Sequence, residues 1–420
     1  MDGDRRTPAA AAASAASVLD DDELLREILL RLGFPTCLVR AALVSKRWLH
    51  HASDPAFLRR FRDRNPPRLL GFCLCFSGRY RFVPFPQPPE LAAPIRRATS
   101  SCTAAFARRI LPIKHCRNGR LIIEFFNDGR FDYSLAPLLA GEPVAVLPTT
   151  PLPHLDWDTT QGRLVQMFLP EDGGRNGITL LYLWAVRRKV YAEVYVLGSG
   201  GWGVPATATE IELSFDAHFL QILPPIHGKV FVMTDSRYAL GLDLAAASFF
   251  TLELPVGVRH NYKLSCAEDS RLYLVSADGF QLSVWLHLMS GDGNGAGWLL
   301  VDTFCVREAE ACARLVRDRW IPPSNYLDVA AVGDNADFVF LDHTASGTLF
   351  YVHLRSRVVE KVHQRVPEKC YVPPQIALSP IVMIWPPVFP AREAWFFHPT
   401  LIFSRKHTSI FLIWWWIPEW

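Results

Sequence analysis

The chain has no C-x-x-C pair and no cluster of Cys and His at metal-ligand spacing. Its nine cysteines stand at positions 37, 73, 75, 102, 116, 266, 305, 312 and 370, an odd number without regular spacing. Neither a zinc module nor a disulfide framework follows from that pattern. An Asn-x-Ser/Thr glycosylation sequon is also lacking. Both absences favour a reducing compartment, the cytoplasm and/or the nucleus. No apolar run is long enough to span a bilayer; the nearest, Ile410 to Ile417, is short and runs into Pro418, so no membrane partner is expected. Charge of one sign is scarce too. Lys and Arg total 44 against 41 Asp and Glu, a net +3, and their scatter leaves no electrostatic footprint for nucleic acid. The basic runs Arg59-Arg60-Phe61-Arg62-Asp63-Arg64 and Arg187-Arg188-Lys189 read as solvated faces.

Catalytic signatures are missing as well: there is no H-E-x-x-H, no G-x-S-x-G elbow and no P-loop. Gly198-Ser199-Gly200-Gly201-Trp202-Gly203 matches the spacing of a dinucleotide fingerprint, but Val204-Pro205-Ala206 after it cannot open a helix to hold a pyrophosphate, and a hairpin turn is the better reading. Asp156-Trp157-Asp158 pairs two carboxylates without a further catalytic element, and Gly291 to Gly297 lacks the spaced ligands of a calcium loop. The expectation is a chain with no catalytic residues, no metal and no cofactor. Residues 1–17 are alanine-rich without a leucine-rich centre and carry Asp2 and Asp4, which reads as a disordered lead-in and not a signal peptide.

What is present is concentrated near the start. In residues 19–61, Leu24, Leu25, Ile28, Leu29 and Leu32 recur at helical spacing behind Asp20, Asp21, Asp22 and Glu23, an amphipathic helix with acid at the positive end of its dipole. Gly33 can close it in a left-handed conformation, Pro35 blocks its continuation, and Thr36 can cap a second helix through Leu38, Val39, Ala42, Leu43 and Val44. A third short helix follows through Trp48 and Leu49. Asp54-Pro55 then offers a cap and a first-position proline for a last turn through Phe57, Leu58 and Phe61. Some forty residues carry more large apolar side chains than three short helices can hide, so a partner is expected to cover the excess.

These residues resemble the F-box: Leu19, the acidic residues, Leu25, Glu27-Ile28-Leu29, Arg31-Leu32, then Val44-Ser45-Lys46-x-Trp48 and Asp54-Pro55-x-Phe57-Leu58. Asp20 and Gly33 stand where the family usually, or often, has proline. The resemblance implies a Skp-family adaptor bound by Leu19, Leu25, Ile28, Leu29, Leu32 and Leu43, with Val44, Trp48 and Phe57 as the core joining the helices. It further implies a cullin scaffold reached through that adaptor.

After Asn65-Pro66-Pro67-Arg68 the pattern changes to short runs rich in β-branched and aromatic residues between Gly, Asp, Asn and Pro, the signature of an all-β domain. Examples are 69–76, 121–126, 164–168, 180–186, 190–197, 229–234, 271–276, 282–288, 337–341 and 348–354; a helix is expected only at 307–317. Turns before strands recur at Asn118-Gly119, Gln161-Gly162, His227-Gly228, Asp269-Ser270 and Asn335-Ala336, with a step of 43 residues from 119 to 162 and from 228 to 271. That period suits four-stranded propeller blades; an irregular pair of β-sandwiches is the alternative. Gly201-Trp202 and Gly297-Trp298 each follow a strand and a glycine-rich turn, as in kelch-like blades whose tryptophan wedges between sheets.

The expected fold class is thus α+β multidomain, a small three-helix F-box followed by an all-β propeller-like domain. The expected boundaries are 1–17 for the lead-in, 18–63 for the F-box, 64–390 for the β-domain and 391–420 for an apolar tail outside it, the blade-like pattern ending near Val366. The plan resembles the plant-type class of F-box proteins with a propeller-like associated domain. It implies a non-catalytic substrate receptor of an SCF-type (Skp, cullin, F-box) ubiquitin ligase, holding an unknown target protein on the β-domain. A glycan- or small-ligand-sensing propeller and a kelch-type enzyme are the rival classes.

Overall fold

The computed structural model describes residues 20–383 apart from connecting segments, chiefly 101–112, 138–144, 152–163, 171–177, 289–296, 313–326 and 366–376, and shorter ones including 66–67. Leu19, the Asp156-Trp157-Asp158 pair, the lead-in and the tail from Arg392 lie outside the described residues, as do most of Gly291 to Gly297 and of the helix expected at 307–317.

The opening segment forms four helices: α1 (Asp22–Leu30), α2 (Pro35–Ala42), α3 (Lys46–Ala52) and α4 (Pro55–Arg64). The expected last turn is therefore a full ten-residue helix. Capping explains three of the four starts. Asp21 accepts from the backbone N–H groups of Glu23 and Leu24, Ser45 from Trp48 at 3.2 Å, and Asp54 from Phe57 at 2.9 Å. Helix α2 has Phe34 at its cap position and no side-chain cap; Pro35 at the first turn takes the place assigned to Thr36. Gly33 is not among the residues with positive φ, so α1 ends on Arg31 without a left-handed closure.

The rest of the described chain is a ring of six sheets. Sheet I holds β3 (Ile113–Arg117), β4 (Arg120–Asn127), β5 (Arg130–Pro137) and β6 (Ala145–Val146). Sheet II holds β7 (Leu164–Pro170), β8 (Ile178–Val186) and β9 (Lys189–Gly198), with β10 (Gly201–Trp202) and β11 (Thr207–Glu212) both on the outer side of β9. Sheet III runs β12 (Phe219–Ile222), β13 (Lys229–Thr234), β14 (Tyr238–Asp243) and β15 (Ser248–Glu253). Sheet IV runs β16 (Tyr262–Cys266), β17 (Leu272–Asp278), β18 (Gln281–Leu288) and β19 (Gly297–Cys305). Sheet V runs β20 (Leu327–Val332), β21 (Phe338–His343), β22 (Thr348–His353) and β23 (Val358–Gln364). Within each, sequential strands pair antiparallel, as short turns between them require.

Sheet VI is composite. Its strands are β1 (Leu69–Phe76), β2 (Arg79–Pro84) and β24 (Ala377–Val382), in the order β2, β1, β24. The last described strand thus pairs with the first, Leu69 opposite Val382 and Cys75 opposite Ala377. Apolar clusters fill the wedges between consecutive sheets: Ile122 and Tyr133 with Leu180 and Tyr182, Leu181 and Val190 with Val230 and Leu240, Phe231 with Leu264 and Leu274, Val275 with Leu341, and Phe72 with Phe340. Strand β24 contacts β3 and β20, which closes the circle. The fold is a propeller, and the blade pattern does not end near Val366.

The two Gly-Trp elements act across sheets. Trp298 donates its indole N–H to the Glu253 carbonyl of sheet III at 2.7 Å, and Trp202 donates to the Pro148 carbonyl just after sheet I at 3.1 Å. Gly198 to Gly203 forms the β9–β10 hairpin, with Gly198 opposite Gly201 and Gly201 at φ +114°. Gly241 lies opposite Phe250, whose ring covers it so closely that an added Cβ would meet the ring at 2.1 Å.

The Asn261 side chain is one of the ties between sheets IV and V. Asn261 donates from Nδ2 to the carbonyls of Ala277 at 3.0 Å and Leu327 at 2.6 Å, and its Oδ1 accepts from the Val329 N–H at 2.7 Å. Replacing it strands backbone groups on both sheets, so Asn261→Ala is expected to cost about 1–3 kcal/mol. A thermal melt of the full chain checks this; an unchanged midpoint would contradict the tie.

Candidate adaptor-binding helices and the two ends of the ring

Burial divides the helical module differently from the sequence pattern. Leu25, Leu29, Leu38, Ala42, Phe57 and Phe61 form its core, and Leu25 and Leu29 are 0% exposed. These two leucines, expected on the adaptor-facing stripe, instead point inward, because α1 turns that face onto α3 and α4. Val44, expected in the core, is 65% exposed: α2 ends at Ala42 and Val44 lies in the turn before α3. Leu24, one position from the buried Leu25, is 45% exposed. Ile28, Leu32, Leu43 and Trp48 are half-buried, and Phe57 is buried. Leu24, Ile28 and Leu32 recur every fourth residue and so share one side of α1 and its C-terminal end. That leaves Leu24, Ile28, Leu32, Leu43 and Val44 as apolar side chains with surface to offer.

A polar network fixes α1 on α3. The Arg47 guanidinium pairs with Asp22 at 2.6 Å and donates to the Asp20 carbonyl at 2.6 Å. His51, buried, meets Asp22 Oδ1 through Nε2 at 3.0 Å and Arg26 Nε through Nδ1 at 3.2 Å. Because Arg26 Nε carries a proton, Nδ1 accepts, and Nε2 is the nitrogen that donates to Asp22. Arg60 of α4 reaches Glu27 of α1 at 3.2 Å. The motif shows Asp22, Arg26 and His51 as ordinary helix residues; only the packing of α1 against α3 brings them together.

The helices join the ring at one end. Arg68, immediately before β1, places its guanidinium over the Phe34 ring at 4.9 Å, and its carbonyl accepts from the Met383 N–H after β24 at 2.9 Å. Following the antiparallel strands outward, this end carries the turns between first and second and between third and fourth strands of sheets I to V. Asp337, in the β20–β21 turn, belongs to it. Burial raises the Asp337 carboxyl above its ordinary value, while the charges of Arg355, His353 and Arg62 of α4 oppose that rise.

The opposite end carries the turns between second and third strands and the connections from sheet to sheet. On sheet V it holds a buried polar network: Arg365 pairs with Asp342, Ser346 with His343 and Thr348 at 2.7 Å each, and Thr348 donates to Gln364 at 2.9 Å. Burial lowers the His343 imidazole and raises the Asp342 carboxyl, the latter opposed by Arg365. Between sheets III and IV the same end holds a cavity of about 290 Å³ lined by Asp235, Ser236, Arg237 and His260. No motif pointed to that cavity, since the β13–β14 turn and the β15–β16 connection meet only in the folded ring. Among the described residues no group of His, Cys, Asp and Glu could hold a metal ion, and no helix is long and apolar enough to cross a membrane.

Residues 112–389 match the family described as "F-box protein AT5G49610-like, beta-propeller", and residues 22–64 match the F-box-like family. No curated protein matches the chain. Among solved structures, the chain is similar to a functionally unknown protein from Desulfotomaculum acetoxidans (10% identity, 64% of this chain and 74% of that one, TM-score 0.36). It is also similar to the Cps50 (Swd1) beta-propeller domain of Myceliophteria thermophila (8%, 60% and 86%, 0.33) and to a chain of a nidogen/laminin complex (11%, 73% and 97%, 0.35). TM-scores this low carry no argument about function.

Asp22 gives the network a pH signature. Hydrogen bonds from Arg47 first, then His51, hold its carboxyl below the ordinary 3.8. A carboxylate depressed by folding stabilises the fold above the ordinary value and loses that contribution as the pH falls through the lowered one. Wild-type α1 is therefore expected to keep its slow amide exchange down to about pH 3.8 and to lose it below. Asp22→Asn should exchange faster at neutral pH and lack that acid step. Identical exchange profiles for the two proteins would contradict the network.

Proposed function

The chain belongs to the F-box protein AT5G49610-like beta-propeller family, and from that premise we propose that it is the target-binding subunit of an SCF-type ubiquitin ligase. F-box proteins with a β-propeller are generally non-catalytic adaptors, and an F-box generally binds a Skp-family adaptor within SCF complexes. Here the adaptor docks on the exposed apolar residues of α1, α2 and the turn after it, and the cullin scaffold is reached through that adaptor. The ring holds a target protein, and the transfer chemistry belongs to the partners. The chain contributes proximity, raising the target's effective concentration at the ubiquitin-charged enzyme. The complex works in the cytoplasm or the nucleus. The plant-type and kelch-like assignments drawn from the sequence plan go with this proposal.

One observation carries the reading: a capped helical module matched to the F-box leaves Leu24 and Val44 exposed at 45% and 65% while its own core is already complete. The apolar surface these side chains leave exposed gains nothing within the module, so it is free to bind. The attachment of that module to one end of the ring leaves the described residues of the other end clear of the helices, where a target can bind. Covering Leu24 and Val44 contributes up to about 1.5–3 kcal/mol each.

The double substitution Leu24→Asp/Val44→Asp is therefore expected to weaken adaptor binding more than tenfold with an unchanged melting temperature, measured by titration calorimetry of the full chain. Leu29→Asp buries a charge in the core and is expected to unfold the helices, abolishing binding by a different route. Wild-type affinity in the folded Leu24→Asp/Val44→Asp protein would overturn the docking surface.

A further inference from the structure

The cavity at the end of the ring away from the helices has walls that are built before any ligand arrives. On one side, the β13–β14 turn is locked by Thr234: its Oγ1 donates to the Tyr238 carbonyl at 2.5 Å and lies 2.7 Å from Ser236 Oγ. The Thr234 carbonyl accepts from the buried Tyr262 hydroxyl at 3.0 Å. This turn presents Asp235, Ser236 and Arg237 to the cavity. On the other side, His260 precedes Asn261, the residue that ties sheets IV and V by three hydrogen bonds. Two turns from different sheets are thus held at fixed separation, the kind of support a recognition site needs.

The groups presented are of opposite character. Arg237 offers a guanidinium suited to a carboxylate, and a ring N–H of His260 can donate beside it. Asp235, its neighbour, asks for a cation. Val256, four residues before His260 in the same connection, is fully exposed. At about 290 Å³ the cavity sits at the small end of ligand sites and suits one or two side chains, not a cofactor.

Taking the ring as a target receptor, we propose that this cavity reads a peptide segment in which an acidic side chain and a basic side chain lie close together, with an apolar residue beside them. The acidic side chain meets Arg237 and His260, the basic one meets Asp235, and the apolar one covers Val256. A glycan or an anion alone would use only part of this set, whereas a peptide uses both charges and the exposed Val256.

The test is selection of a random twelve-residue peptide display library on the full chain bound to its Skp-family adaptor. Enriched peptides are expected to carry an acidic and a basic residue within a few positions and to lose at least tenfold affinity to Arg237→Glu or Asp235→Lys. A peptide with its charges exchanged is expected to regain affinity for the double variant Asp235→Lys/Arg237→Glu. Enriched peptides indifferent to both single variants would overturn the proposal, as would no enrichment on a correctly melting protein. Adaptor capture in the same preparations separates this outcome from failure of the receptor reading. A chain that does not capture the adaptor sinks the receptor, while one that captures it but ignores the charge variants sinks only the cavity.

Discussion

Closure of the ring is the constraint on which the remaining structure depends. Sheets in a propeller bury their faces only against neighbours, so an open end would expose two apolar faces to water. Pairing β24 with β1 removes both ends at once. It seats Phe72 against Phe340 at a ring separation of 5.1 Å and covers Leu74 and Ala331 in the wedge between sheets V and VI. The same pairing fixes where the chain enters the ring. Because Arg68 and Met383 bond to each other at the edge of β1 and β24, the helical module is delivered to one end and no other.

That delivery turns a topological fact into a functional one. Helix α4 runs into the ring with only a few residues between Arg64 and β1, while Arg68 stacks on Phe34 and Arg62 lies near Asp337 on the ring. Contacts on both sides of so short a junction limit how far the module can swing. An adaptor bound at α1 and α2 and a ligand bound at the far turns would therefore hold a constant relation across the ring, which is what transfer to a tethered target requires.

Much of this was legible in the sequence, and the exceptions have physical causes. The ten strands read from apolar runs all exist, because buried strands of one ring carry the same β-branched and aromatic composition. The 43-residue step from Gly228 to Arg271 joins equivalent turns of sheets III and IV, whereas the step from Gly119 to Gly162 joins a second strand to a first strand and is coincidental. The long connection between β19 and β20 hides the period thereafter. Strand β24 does not read as a strand because Ala377 to Val382 contains Pro380, which a strand at the edge of its sheet tolerates, since among the described residues one of its sides has no hydrogen-bonding neighbour. Helical periodicity identified the apolar side of α1 but not which of two adjacent leucines faces inward; α3 and α4 decide that, so Leu25 is core and Leu24 is surface. The cavity of Asp235, Arg237 and His260 left no local signal at all, being made by two turns that are adjacent only in space.

On the proposed function, the two ends of the ring have separate duties, adaptor at one and target at the other. Hydrogen–deuterium exchange of the full chain with and without a Skp-family adaptor tests it most directly. New protection is expected in α1, α2 and the turn after it, with the exchange of residues 235–237 and 254–261 unchanged. Protection appearing at those far turns, or none appearing in the helices, would contradict it.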